Sequence, residues 1–550
     1  MSRKTRAYLT QAGLLVMAPA MAAQAAQPSL DRADPALIEE DAHSEPAERR
    51  EQDAPSVSTG GDGGQVSLSR PVQVGAIRIE GTSALPPSRF ARVIEPYAGR
   101  LLSADDLQAL SSKVADEARA AGYGLATAWI PQQKIANGVL RVVVDEGRID
   151  AVEANGPAAE PVRRMLAMLA DGRPVRTAAL ERQLLLADDV AGVEIGRVRL
   201  KRDERGNILS VETERDRVEA RAYLDNWGTS TVGPIRARTY LDFNGIAGAD
   251  RLSLSGNVTP FEPAEFGLLG AGYERQIGTA GTTIELRGYA ATTHPGGVLE
   301  GRDIEGSSIE GEIGVSHPLV RERARSLWID GAFRISQVRQ SREDVRTRED
   351  ELATVSASLN GFLRGDENRL RGRLTAVQGI DAFGATEPGD ALASRADASG
   401  RFTKLELWLD YRRSFGKRVS LQLQSTAQIA SRPLLSSEEM GLGGRYFLRG
   451  YDYREYSGDK GIAGSAELRF DLRKLPKPVG DVQLYGFVDA GSVGNYRGGG
   501  GGGSLASAGG GVRFGLGKIF DVGLELGVPL KRSDFSGKDP RFSFTIASRF

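Results

Sequence analysis

Side chains able to make or break covalent bonds are scarce in this chain of 550 residues. It has no cysteine and three histidines, His43, His294 and His317, which excludes thiolate nucleophiles, disulfides and cysteine metal sites. No GxSxG, HExxH or GxxxxGK[ST] string occurs, and GxGxxG is matched only inside the glycine run 498–503, which reads as a flexible surface loop. No serine or aspartate constellation accompanies His294 or His317, so the sequence indicates no catalytic residue, no cofactor and no metal. The informative spacing lies at 441–469, GLGGRYFLRGYDYREYSGDKGIAGSAELR, where glycines, aromatics and alternating charges fit neither a helix nor a strand throughout. Its chemistry is that of recognition. Arg449, placed at the tip of a loop inside a barrel, would have to find a carboxylate, because an unpaired guanidinium is costly to desolvate and a bidentate acid is its best partner. Gly450 is expected to take positive φ there, and Tyr451 to wedge against the wall.

The elements around this loop are strands. From residue 218 onward the helical signals fade and alternating segments recur, among them EARAYLDNW, IRARTYLDF, SLWIDGAFRIS, KLELWLDYRR, VQLYGFVDA and RFSFTIASRF. In a soluble sandwich the apolar face would pack inward; charge alternation sustained through so many strands instead favours a barrel with lipid outside and a wet lumen. At some 20 residues per strand and turn, 216–550 predicts a transmembrane antiparallel β-barrel of about 16 strands. The last segment places Phe542, Phe544, Ile546 and Phe550 at even positions and reads as the closing strand.

Residues 1–26 read as a secretory signal: Arg3, Lys4 and Arg6, an apolar stretch, then Ala23-Gln24-Ala25. The stretch is too short and too interrupted for a spanning helix. Residues 27–70 are polar and read as a linker, in which 34–53 is a candidate short helix broken by Pro46. Residues 71–149 follow the order β-α-α-β-β, with Ser103 and Asp106 opening the second helix as cap and first-turn acid. The order repeats at lower fidelity over 150–215. A net charge of −1 and a pI near 6.5 give no clustered basic face, so no nucleic-acid partner is expected.

Nearly the whole mature chain resembles the outer-membrane transporters of two-partner secretion, the haemolysin secretion/activation family, within the superfamily of outer-membrane assembly barrels. Ile79-Glu80-Gly81, Gly122-Tyr123, Ile130-Pro131-Gln132, Gly138 with Leu140, and Glu146-Gly147 stand in the order of that family's polypeptide-transport-associated (POTRA) domain. LDNWGTSTVG and GVSHPLVRER resemble further family segments. The family's lumen-loop pattern is matched by Gly443-Gly444, by Phe447-Leu448-Arg449-Gly450-Tyr451, by Gly458-Asp459-Lys460-Gly461 and by Glu467-Leu468-Arg469. Leu448 stands where valine is commoner. A second LRGY at 286–289 lies inside an alternating strand and lacks these flanks. The stretch 34–53 matches the family's long plug helix poorly.

The resemblance implies a lumen loop of about 438–464 and places the acid facing Arg449 in Phe-x-Asp-x-Gly, here Phe487, Asp489 and Gly491, with Glu467 and Asp471 as rivals. It implies two periplasmic POTRA domains, a secreted client polypeptide with an N-terminal secretion domain bound to them, and export through the outer membrane without ATP. Outer-membrane lipid and the barrel-assembly machinery are the other expected partners. A barrel closed on itself is expected to be a monomer. Competing readings are a factor that inserts other barrels and a passive porin.

Overall fold

In the computed structural model, residues 57–59, 70–204, 206–472, 478–496, 502–517, 519–534 and 536–549 are described. The expected signal peptide, the candidate helix at 34–53, His43, residues 498–501 of the glycine run and Phe550 lie outside them. Gly503, expected in a loop, opens a barrel strand.

A short strand β1 (Val57–Thr59) precedes the first α+β unit. That unit holds β2 (Val72–Val74), β3 (Ala76–Glu80), helix α1 (Ala91–Ile94), β4 (Arg100–Leu102), α2 (Ala104–Ala120), β5 (Thr127–Trp129) and β6 (Val139–Asp145). β3 runs parallel to β6, β5 antiparallel to it, and β2 pairs with β4. Helix α2 starts where it does because Ser103 Oγ accepts from Asp106 N at 3.2 Å while Asp106 Oδ2 accepts from Ser103 N at 2.9 Å. Its Leu107, Leu110, Val114 and Ala118 are buried in one stripe. The first helix of the expected β-α-α-β-β order is instead a 3₁₀ turn (Pro87–Phe90), the single turn α1 and another 3₁₀ turn (Glu95–Tyr97). Pro96 has no N–H to donate to the carbonyl four residues before it, so the α-helical ladder does not run on past α1 although Glu95 keeps helical backbone.

The second unit holds β7 (Ala151–Asn155), α3 (Ala159–Leu166), α4 (Thr177–Asp188), β8 (Val193–Asp203) and β9 (Gly206–Arg215), with sheet order β1-β8-β9-β7. Its helices bury Val162, Leu166, Leu184 and Leu186 against Val198, Leu209 and Val211. Thr177 N donates to Gly122 O at 2.9 Å across the two units. Arg321, at a short turn of the barrel, is buried and sends Nε and Nη2 to Asp189 at 2.8 and 2.7 Å, fixing the second unit to the barrel.

The barrel begins with β10 (Val218–Asp225), β11 (Arg236–Asn244), β12 (Asp250–Val258), β13 (Phe266–Ile277), β14 (Thr282–Thr293), β15 (Ile304–Arg321), β16 (Arg325–Arg342) and β17 (Val345–Arg364). It continues through β18 (Asn368–Ile380), β19 (Thr403–Phe415) and β20 (Val419–Ala430). A small hairpin of β21 (Met440–Leu442) and β22 (Tyr456–Gly458) leaves the wall, which resumes with β23 (Lys460–Asp471), β24 (Val479–Gly494), β25 (Gly503–Leu516), β26 (Phe520–Pro529) and β27 (Arg541–Arg549). β10 pairs antiparallel with β27, Arg221 opposite Arg549 and Asp225 opposite Thr545, which closes sixteen strands. Leu269, Leu286, Ile309, Leu405 and Val488 are exposed on the outside, while Arg348, Asp350, Asp410, Glu467 and Asp489 are buried within. Apolar-out and polar-in alternation belongs to a barrel in lipid. Among the described residues no helix is long and apolar enough to cross a membrane; strands do the crossing. The α+β units join at the end carrying the short turns, the periplasmic end.

Glu146, at the end of the first unit's last strand, is 2% exposed. Its carboxylate accepts from Ser83 N and Oγ at 2.8 Å, from Ala84 N at 2.9 Å and from Leu85 N at 2.7 Å. Burial pushes its pKa up, but together these donors overcome that and hold it below the ordinary glutamate range. A depressed folded-state pKa gives stability that is present above the unfolded value and lost as pH falls through the folded one. Glu146→Gln is therefore expected to destabilise this unit by about 2 kcal/mol at pH 7. It should also flatten the loss of protection between pH 5 and 3 (about the unfolded glutamate pKa and below it). Amide hydrogen exchange on the detergent-solubilised chain at 83–85 checks both.

Candidate functional site: the lumen loop and its wall

The loop from β20 to β23 spans 431–459 and folds back against the inner wall. The wall strand begins at Lys460, earlier than the expected loop boundary of 464, so Gly461 sits on the wall. Gly443 and Gly444 have φ of 104° and 113°. A side chain at Gly443 would place its Cβ 2.1 Å from Asp452 O, so the turn needs glycine there. Beyond the turn, Leu448 and Tyr451 are fully buried, packed with Leu442, Ala463 and Leu505, and Phe447 is half-buried against the same cluster.

Arg449, 6% exposed, reaches three strands of the wall. Its backbone N and Nε donate to Asp489 Oδ2 at 3.1 and 3.2 Å, and Nη2 donates to Asp489 Oδ1 at 3.1 Å. Nη1 donates to Glu467 Oε2 at 2.7 Å and to Glu525 Oε2 at 3.2 Å, and Nη2 also meets Ser465 Oγ at 3.1 Å. The guanidinium lies over the Phe487 ring, 3.5 Å from its centroid. Glu467 accepts further from Arg469 Nε and Arg513 Nη1, each at 2.7 Å. Three guanidinium groups thus meet three carboxylates, a balanced set that a low-dielectric site tolerates. Phe487, Asp489 and Gly491 share one face of β24 because side chains alternate along a strand. A Cβ on Gly491 would come within 2.9 Å of Leu442 and 3.1 Å of Leu448, so the wall is shaved to admit the loop.

The rest of the loop is tied as well. Tyr451 Oη lies 2.7 Å from both Ala506 O and Lys531 O, which share its single proton, and accepts from Lys531 N at 3.2 Å. Asp452 is held by Arg541, and Glu455 accepts from Ser536 N and Oγ at 2.9 and 2.5 Å. At the base, Asp459 is fully buried and accepts from Leu434 N at 2.7 Å, from Tyr496 N at 2.7 Å and from Arg395 Nη1 at 2.8 Å. Arg395, carried by the long loop 381–402, also reaches Glu439 at 2.5 Å. Beside the loop a polar cavity of about 460 Å³ is bounded by Glu285, Arg287, Glu310, Arg334 and Arg373, with Glu438 at its edge.

The residues singled out from sequence fall in three places. Gly443, Gly444, Phe447, Leu448, Arg449, Gly450, Tyr451, Gly458 and Asp459 lie on the loop, and Gly461, Phe487, Asp489 and Gly491 on the wall it meets. Phe542, Phe544 and Ile546 lie on β27, where Phe544 N donates to Asn226 Oδ1 at 2.7 Å. Two expectations are corrected. Asp471 does not reach Arg449; its Oδ1 accepts from Gln483 Nε2 at 2.7 Å. Gly450 does not take positive φ; Leu448 does, at 64°. Gly450 is required by contact instead, since a Cβ would stand 3.0 Å from Pro529 N and from Ser507 Cβ. Sequence reading missed Glu525 and Arg395. The first is the lone acid of GLELGV, flanked on both sides by apolar residues; the second sits in a loop with no periodicity to mark it.

A closed sixteen-strand barrel holding one loop in its lumen, with two α+β units at its periplasmic mouth, defines an outer-membrane barrel of the assembly and secretion class. Residues 207–514, more than half of the chain, match the family of haemolysin secretion/activation proteins ShlB/FhaC/HecB, and residues 72–147 match the ShlB-type POTRA domain. The chain belongs to the haemolysin secretion/activation family: it is an outer-membrane two-partner secretion transporter, not an enzyme, and its family exports partner proteins. The outer membrane transporter CdiB of Escherichia coli is 25% identical over 80% of this chain and 74% of its own length. The heme/hemopexin transporter protein HuxB of Haemophilus influenzae is 21% identical over 71% of this chain and 70% of its own. The solved structure of CdiB from Escherichia coli superposes with a TM-score of 0.73 at 20% identity, covering 96% of this chain and all of that one. BamA from Haemophilus ducreyi lacking POTRA domains 1–3 shares the fold at a TM-score of 0.52 and 13% identity.

Because Gly450 has no room for a methyl group, Gly450→Ala should lift the loop tip from β25 and β26. With no cysteine in the chain, Phe447→Cys provides one label site. Adding Gly450→Ala is expected to speed its maleimide labelling by about tenfold, the effect of some 1.4 kcal/mol on the docking equilibrium; an unchanged rate would show that the tip accommodates the methyl group.

Proposed function

We propose that the chain exports one partner polypeptide, with an N-terminal secretion domain, through its own lumen without ATP, and that the loop docked at Arg449 is a required part of the export machinery. The observation that carries this reading is the Arg449 set. One side chain ties the loop to β23, β24 and β26 through buried, charge-balanced contacts, and such sets are better at fixing one arrangement than at adding stability. The polar cavity of about 460 Å³ beside the loop is far too small for a folded domain, so a client would have to pass as an extended chain. Residues 71–149 and 150–215 act as POTRA 1 and POTRA 2, binding the client by strand addition, which reads backbone more than sequence. The barrel-assembly machinery inserts the chain, which works as a monomer.

The test compares proteins released into the medium by cells with this chain, without it, and with Arg449→Ala. Removing one member of a buried charged set costs roughly 3–5 kcal/mol, so Arg449→Ala should lower release of one or two large polypeptides at least tenfold while the barrel remains inserted. Normal release by that variant would remove the loop from the mechanism, and a joint decline of many outer-membrane proteins would mark an assembly factor instead.

A further inference from the structure

The lumen loop is fastened a second time, on the wall opposite Arg449 and with the charges exchanged. Glu438, on a short 3₁₀ turn (Ser436–Glu438) ahead of β21, is 3% exposed. Its Oε1 accepts from Arg334 Nη2 at 2.6 Å, and its Oε2 lies 2.9 Å from Lys404 Nζ. Its backbone carbonyl accepts from Lys404 Nζ at 3.3 Å and from Gln428 Nε2 at 3.0 Å. Arg334 belongs to β16 and Lys404 to β19, whereas Arg449 meets acids of β23, β24 and β26. β16 and β26 stand eight strands apart in a closed ring of sixteen, the widest separation such a ring allows. The loop is therefore a bar across the lumen, held by a cation at one end and by an anion at the other.

The two ends differ in what they leave behind on release. Withdrawing Arg449 takes its guanidinium from Asp489 and Glu525, both buried in the wall, and a buried acid stripped of its cation is strongly destabilising. It would also pull Leu448 and Tyr451 out of their apolar cluster. Withdrawing Glu438 leaves Arg334 Nη1 3.7 Å from Glu310 and Lys404 Nζ 2.7 Å from Glu406, so neither cation is stranded. Glu438 also borders the polar cavity of about 460 Å³ walled by β14–β19, and Arg449, Glu467, Asp489 and Glu525 are not among the residues lining it. A polypeptide in that cavity touches the Glu438 end of the bar and not the Arg449 end. We propose that Glu438, Arg334 and Lys404 position the far end of the loop as a clasp, and that this clasp yields to an extended client in the cavity while Arg449 stays docked. The inference rests on the transport reading above and assigns the moving end of its loop.

Ion conductance of the purified full chain in planar lipid bilayers, with polypeptide release from cells measured beside it, tests this. Glu438→Gln removes the charge at nearly constant volume and is expected to raise the ratio of open to closed time about tenfold, which is some 1.4 kcal/mol on that equilibrium. Arg334→Gln, made on the wall side, should shift the ratio in the same direction, and Glu438→Asp, which keeps the charge on a shorter arm, should fall between Glu438→Gln and the unmodified chain. Release by all three should not fall, in contrast to Arg449→Ala. An unchanged ratio in whichever of the two glutamine variants inserts would overturn the proposal, as would a loss of release as deep as that of Arg449→Ala. Absence of any released polypeptide from cells with the unmodified chain would instead overturn the transport reading, and the conductance ratio would still decide whether Glu438 holds the bar closed.

Discussion

A guanidinium taken out of water has to be met by anions, and Arg449 meets three. That requirement orders much of the barrel interior. Glu467, Asp489 and Glu525 come from three strands, so one loop side chain fixes the tip against a whole sector of the wall. Arg469 and Arg513 balance the charge around Glu467, while Phe487 gives the cation a π face and Gly450 and Gly491 clear the space for close approach. Removing any acid would leave charge without a counterpart in a site with little water, and for this reason the set behaves as one unit.

The same economy governs the scale of the whole chain. A membrane allows no unpaired backbone, which a closed ladder satisfies, and the price is a lumen that must be filled or gated. Here it is filled partly by the loop, held at its tip by Arg449 and at its base by Asp459 and Arg395. The periplasmic units are joined to this body by the buried Arg321–Asp189 contact and by the two residues between β9 and β10. A polypeptide arriving at the units is thus presented close to the barrel mouth.

Much of the architecture was legible from sequence because its signals are periodic and local. Alternation sustained from 218 to the end yields the barrel, and its length yields the strand number found. Ser103, Asp106 and the stripe from Leu107 to Ala118 yield helix α2. What escaped depends on contacts between distant residues. Pro96 divides a stretch that propensity alone reads as one helix. β1 lies in a polar segment whose partner is about 140 residues away in sequence, a distance over which no periodicity carries information. Gly450 invited the usual explanation of positive φ, whereas the structure shows that a neighbouring backbone excludes a side chain there. Glu525 looks like any lumen charge until the loop brings Arg449 to it.

The central claim, that a client passes through this lumen past the loop, is tested most directly by a photoreactive residue placed on the wall in actively secreting cells. Ser308 faces the lumen cavity and Leu269 faces lipid. Passage through the barrel predicts cross-links to the exported polypeptide from position 308 and none from 269. Cross-links from 269 alone, or none at 308 while export proceeds, would contradict it.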